Sequence, residues 1–237
     1  MLGMKSFLLR SFLLLAVLAP QPAVLAFETD QYNLPPIPLA DIADEVEEYV
    51  EKNIRAAIGK INAEIERLKT CSEKEIDRCD SPEKRRRLAY LLSEEAVVRA
   101  VFERLGDGVI PFTRSGSWMN SHKFRAQPAR YKTGYRKSIF VYLPSDYFTI
   151  SPTVKMYGHS FGTDKIAHIF QQGYTYYRKY KRGIAAGMTE TEAEKRAVSW
   201  GRMTENTYYG TLVGGVFSNA DLYANYAGMR FYQGLAK

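Results

Sequence analysis

From Ile42 to Leu68 the apolar side chains return every three or four positions: Ile42, Val46, Tyr49, Val50, Ile54, Ile58, Ile61, Ile65 and Leu68. That spacing lays one apolar stripe along a long helix, and the stripe needs a partner to cover it. The partner is predicted close by in sequence. Ser81-Pro82-Glu83 supplies an N-cap and a first-turn proline, and Leu88, Leu91, Leu92, Ala96, Val97, Phe102 and Leu105 keep a helical period up to Gly106. Residues 39–106 are expected to form an αα-hairpin.

The loop between the two arms, CSEKEIDRC, contains the only cysteines, Cys71 and Cys79. Their state depends on the compartment, and the first 26 residues bear on that. Lys5 and Arg10 precede a short apolar run from Phe12 to Leu18, then Val24-Leu25-Ala26, the pattern of a cleaved secretory signal peptide. The run is well short of the ~20 apolar residues of a membrane span. An exported chain meets an oxidising compartment, so a Cys71–Cys79 disulfide is expected. A ring this small contributes roughly 2–3 kcal/mol at best and pins the hairpin. A redox role would call for the CxxC spacing that the pair lacks.

Loss of the leader takes the formal charge from +7 to +5, since it removes Lys5 and Arg10 and no acid. Basic runs at 84–87 (KRRR) and 177–182 (YRKYKR) are expected as solvated helix faces, with contact to anionic envelope lipid or glycan, or a peripheral membrane surface, as the functional alternative. Export argues against nucleic acid as a partner. The roughly 210 residues left suffice for one large domain or two small ones.

Residues 27–38, FETDQYNLPPIP, are expected as an extended arm because of their prolines. Residues 107–160 scatter Gly, Pro, Ser and aromatics between short runs such as SIFVYL at 138–143, which predicts loops and up to two strands. His122 and His159 fall in these loops, where an isolated histidine is ordinarily a surface residue. Three helices are predicted in 161–237. Thr163 is expected to cap the first, from Asp164 to about Lys181 with Gly183 and Gly187 at its exit. Thr189 with Glu192 forms a capping box for the second, and Ser218 with Asp221 for the third.

These helices carry the candidate chemistry. On the last, Asp221, Asn225, Gly228 and Tyr232 share one stripe flanked by Ala224, Phe231 and Leu235, which reads as a packed seam. Burying Asp221 and Asn225 there costs several kcal/mol unless partners satisfy them. Glu205 shares an inward stripe with Val198, Gly201 and Tyr208. On the first, Asp164, His168, Gln171 and Thr175 lie opposite Ile166, Phe170, Gly173 and Tyr177, so that face is either wet or covered from a second side. If Asp164, His168, Glu205 and Asp221 converge, the set could hold a divalent metal with Asn225 orienting a carboxylate; without metal, Asp164 could orient His168 as a base. The rival reading is a satisfied polar network that fixes helix register. Tyr174, Tyr176, Tyr177, Tyr180, Tyr208, Tyr209, Tyr223, Tyr226 and Tyr232 also line these helices, suited to a glycan or membrane interface or to core packing.

The motif order, Asp164-Lys165-Ile166-Ala167-His168, then Glu205, then Asp221-Leu222-Tyr223-Ala224-Asn225-Tyr226-Ala227-Gly228, resembles that of the VanZ-like family and of related small exported proteins. The resemblance covers about residues 160–230 and implies a cell-envelope setting. VanZ-like proteins span membranes several times, whereas Gln171, Gln172, Arg178, Lys179 and Arg202 interrupt the helices here, so a soluble, exported version is expected. The whole reads as a mainly α protein, an N-terminal hairpin and a C-terminal bundle packed on it through an irregular middle. Its expected role is a noncatalytic structural or ligand-binding envelope module; the alternative is a metal-dependent envelope hydrolase.

Overall fold

The computed structural model describes residues 35–70, 81–110, 112–137, 150–207, 210 and 217–236. The signal-like segment, the first part of the extended arm, the Cys71 and Cys79 loop, the SIFVYL run, Tyr208 and Tyr209 lie outside the described residues. The described chain is mainly helical with one small two-stranded sheet.

Helix α1, Ala43–Lys69, buries Ala43, Val46, Ala57, Ile61 and Ile65, the face its periodicity marked. The opposing arm is two helices where the sequence pattern predicts one: α2, Pro82–Leu91, and α3, Glu94–Leu105. Ser93 causes the break. Its backbone is extended, its Oγ accepts from the Ala96 N–H at 3.4 Å, and Glu94 and Glu95 complement the dipole of the new helix. The apolar spacing runs through the break because Leu91 and Ala96, on either side of it, both pack on Ile61 and Ile65; Leu92 is left 66% exposed.

The middle region also holds a helix that the sequence hides. In α4, Arg114–Ser121, the stretch RSGSWMNS has mostly weak helix formers. Both ends are held from outside the pattern. Thr113 Oγ1 accepts from the Gly116 N–H at 3.0 Å, and the Arg130 guanidinium donates to the Met119, Asn120 and His122 carbonyls at 2.6, 2.5 and 2.8 Å. Strands β1, Thr153–Met156, and β2, His159–Gly162, pair antiparallel from Thr153 opposite Gly162 to Met156 opposite His159. The two-residue turn takes positive φ at both Tyr157 and Gly158, +50° and +80°, matching the right-handed strand twist. His159 is exposed on this hairpin.

Asp41 ties that turn to the start of α1, its carboxylate accepting from the Gly158, Tyr157 and Ala43 N–H groups at 2.7, 3.1 and 3.1 Å. The Gly158 bond foremost holds the carboxyl below its ordinary 3.8. A lowered folded value means the tie is complete above pH 3.8 and is lost as pH falls through the lowered value. The Gly158 amide resonance, titrated by NMR, should therefore move with a midpoint below 3.8 and stop moving in Asp41→Asn; a midpoint at or above it would contradict the tie.

Helix α5 is continuous but composite: Asp164–Ala167, a π-helical turn at His168–Gln172, and Gly173–Ala185. It ends through Gly187 at φ +83°, with Gly187 and Met188 N–H groups returning to the Ile184 and Gly183 carbonyls. Helix α6, Glu190–Asn206, opens on the expected capping box, and α7, Asn219–Leu235, on Ser218. Helix α5 packs between α6 and α7 and against α3, where Phe102 and Tyr174 stack at 4.0 Å. One hydrophobic core joins hairpin and bundle: Val46, Val98, Val101, Phe170, Tyr176 and Met229 belong to the same cluster.

Candidate functional site

The site begins where α5 leaves the β-hairpin. Thr163 does not cap the helix: its backbone is already helical and its hydroxyl donates to Asn120 Oδ1 on α4 at 3.4 Å. Helices α4 and α7 both pack on the first turn of α5, so its polar face is covered. Asp164, Lys165 and His168 are 1%, 7% and 8% exposed.

The π-turn sets what those side chains meet. Its wider ring closes with the Gly173 N–H on the His168 carbonyl. The Phe170 carbonyl is then taken by the buried Tyr232 hydroxyl of α7 at 2.8 Å. The helices nearly touch just beyond: a Cβ on Gly228 would stand 1.9 Å from the Ile169 carbonyl oxygen and 2.8 Å from Gly173 Cα. Backbones this close bring short side chains from α7 within reach of those on α5.

Lys165 Nζ lies 2.6 Å from Asp164 Oδ2 and 2.5 Å from Asp221 Oδ1, bridging the two helices. Its stem folds back along the helix so that the ammonium reaches the carboxylate of the preceding residue. His168 Nε2 is 3.5 Å from Asp221 Oδ1, and Nδ1 is 3.0 Å from Asn225 Oδ1. Asp221 and Asn225 are 4% and 5% exposed. Asn225 therefore orients the imidazole and not an acid, and His168 is positioned by Asn225 and Asp221 in place of Asp164.

Glu205 is buried, as its stripe implies, but serves a different partner. Its Oε1 accepts from the Ser218 N–H at 3.0 Å, which closes the link from α6 to α7. That N–H is the donor a capping box would have given to Asp221, so Glu205 releases the Asp221 side chain to meet Lys165. The four-residue metal set is accordingly corrected. Donor atoms of Asp164, His168 and Asp221 lie within 4.8 Å of one another, and Glu205 is not among them. Two carboxylates and an imidazole suit a divalent cation chemically. Here the Lys165 ammonium already stands between both carboxylates at hydrogen-bonding distance, so a metal ion at that place would have to displace it.

Tyr176 extends the cluster and was not singled out as part of it from the sequence. Its hydroxyl abuts Gly201 on α6, where a Cβ would fall 1.5 Å from the oxygen. Burial pushes this phenol up to about 12, with Asn225 moderating the shift. A glycine inside a helical pattern was the available signal. The tyrosines proposed for a glycan face divide otherwise: Tyr174, Tyr176, Tyr177 and Tyr232 are core, Tyr180 and Tyr226 half-buried, and Tyr223 exposed. His122 lies apart, its Nε2 3.1 Å from Glu45 and its ring stacked on Trp118 at 4.5 Å.

No family model, curated protein or solved structure matches this chain, so the likeness to the VanZ-like family rests on its motif order alone.

Proposed function

We propose that the protein is an exported, envelope-associated helical module whose Asp164, Lys165, His168, Asp221 and Asn225 form an internal polar lock and not a reaction centre. The observation that carries this reading is the Lys165 ammonium within 2.6 Å of both carboxylates. A charge so placed offsets the two acids in part, and the lock's geometry excludes other registers of α5 against α7. The signal-like leader supports export, and no described helix is long and apolar enough to cross a membrane.

The close approach of Asp164, His168 and Asp221 donors favours a second reading, a metal-dependent hydrolase. There the three side chains would hold the ion, which would supply Lewis-acid chemistry, while Asn225 fixes the imidazole. Elemental analysis of purified protein separates the two. The lock requires substoichiometric metal and a His168→Ala variant with unchanged metal content; one equivalent of metal, lost in that variant, would establish the second reading. Flotation with anionic vesicles at low salt tests the envelope association, and absence of flotation would remove it.

A further inference from the structure

Helices α5 and α6 meet along a close seam, where Cβ positions on Gly183 and Gly201 point at Ala193 and at the Tyr176 hydroxyl. One flank of that seam is basic. Lys179 of α5 lies over the Trp200 ring of α6, its Nζ 3.9 Å from the ring centroid. Arg182 follows Lys179 by one helical turn and Arg196 precedes Trp200 by one, so in this antiparallel pair both stand on the same side of the lysine.

The acids nearby are committed elsewhere. Glu192 accepts from the Thr189 N–H and hydroxyl at 2.8 Å each, Glu194 pairs with Arg230 of α7 at 2.6 Å, and Glu94 of α3 takes Lys181 at 3.6 Å. Glu190 lies in the cleft lined by Tyr180 and Arg230. Among the described residues Arg178, Lys179, Arg182 and Arg196 form no ion pair, and the Arg196 guanidinium meets Met188 Sδ at 3.8 Å. Burial foremost, then the Arg182, Arg196 and Arg178 charges, holds the Lys179 ammonium below the ordinary lysine value. An ordinary solvated face spreads its charges into water. Here one of them is half-buried on an indole amid three like charges, a self-repulsion that an anionic partner relieves.

We infer that this flank of α5 and α6 is the surface by which the protein lies on an anionic lipid bilayer, with Arg178, Lys179, Arg182 and Arg196 on headgroup phosphates. Charge complementarity selects the headgroups, since guanidinium groups bind phosphate oxygens through charge-assisted hydrogen bonds. The neighbouring apolar groups select a bilayer over a soluble anion. Met203, 56% exposed, continues the Arg196 and Trp200 stripe, and a tryptophan and a thioether beside cations suit the polar boundary of a membrane. The inference rests on the envelope reading and adds to it which face makes the contact.

Partition of the protein, purified after export, into mixed phosphatidylglycerol and phosphatidylcholine vesicles at low salt tests the surface. Binding at least about tenfold stronger than to phosphatidylcholine alone is expected, since each basic residue near an anionic bilayer adds to the affinity. Together, Arg178→Gln, Arg182→Gln and Arg196→Gln should weaken it at least about tenfold with the melting temperature unchanged, because all three are exposed and unpaired. Removing the same charge from the hairpin, by Lys52→Gln, Lys60→Gln and Arg86→Gln, should leave partition within about twofold, since charges beyond a Debye length of the bilayer are screened. Bromine-labelled lipid should quench Trp200 in a Trp118→Phe protein and spare Trp118 in a Trp200→Phe protein. An unaffected triple variant, an equal loss in the hairpin control, or quenching of Trp118 in place of Trp200 would overturn this surface and leave the envelope association standing. Binding to sodium polyphosphate but to no vesicle would assign the cations to a soluble polyanion and overturn both.

Discussion

Replacing Lys165 by methionine is expected to lower the stability by about 3–5 kcal/mol, the usual cost of removing one partner from a buried ion pair. Methionine fills the space of the stem, so the loss isolates the charge. Two carboxylates, 1% and 4% exposed, would then face each other across α5 and α7 with no ammonium between them. Urea unfolding should show an earlier midpoint at unchanged slope. Asp164→Asn and Asp221→Asn added to Lys165→Met should recover a large part of the loss, because a neutral set has no unpaired buried charge to desolvate. A single variant within about 1 kcal/mol of the parent would place the pair in solvent, where ion pairs contribute little.

The second large effect is steric. Gly228→Ala puts a methyl 1.9 Å from the Ile169 carbonyl oxygen, and neither that backbone nor Gly173 can yield without parting the helices. The expected cost is about 3 kcal/mol or more, exceeding the up to ~1 kcal/mol that alanine gains over glycine in a helix. Gly59 in α1 provides the opposite sign, since nothing lies within 4 Å of a Cβ there. Gly59→Ala should raise the melting temperature and Gly228→Ala lower it; a shared sign would show that the α5–α7 approach is looser than these distances.

Where one helix carries its own signal, the sequence was readable. The stripe of α1, the Ser81 and Ser218 caps and the Thr189–Glu192 box all formed as the local pattern implies. The buried stripe Asp221, Asn225, Gly228 and Tyr232 could also be read, because a polar group among apolar neighbours demands an inward partner. The partners themselves were less legible. Glu205 lies 13 residues before Ser218, so local spacing could not show that it takes the N–H a capping box assigns to Asp221. Lys165 stands in a motif, but its bridge needs Asp221 on α7, which local spacing does not bring beside it. Ser93 broke a helix whose apolar period runs on unchanged, since periodicity records the face and not the backbone joint.

The central claim is that Lys165 and Asp221 hold α5 to α7 through a direct interior contact. A double-mutant cycle on Lys165→Met and Asp221→Asn, read by urea unfolding, measures that contact. A coupling of about 1–3 kcal/mol is expected for residues in one ion-pair network; single effects that add to within about 0.5 kcal/mol would contradict it.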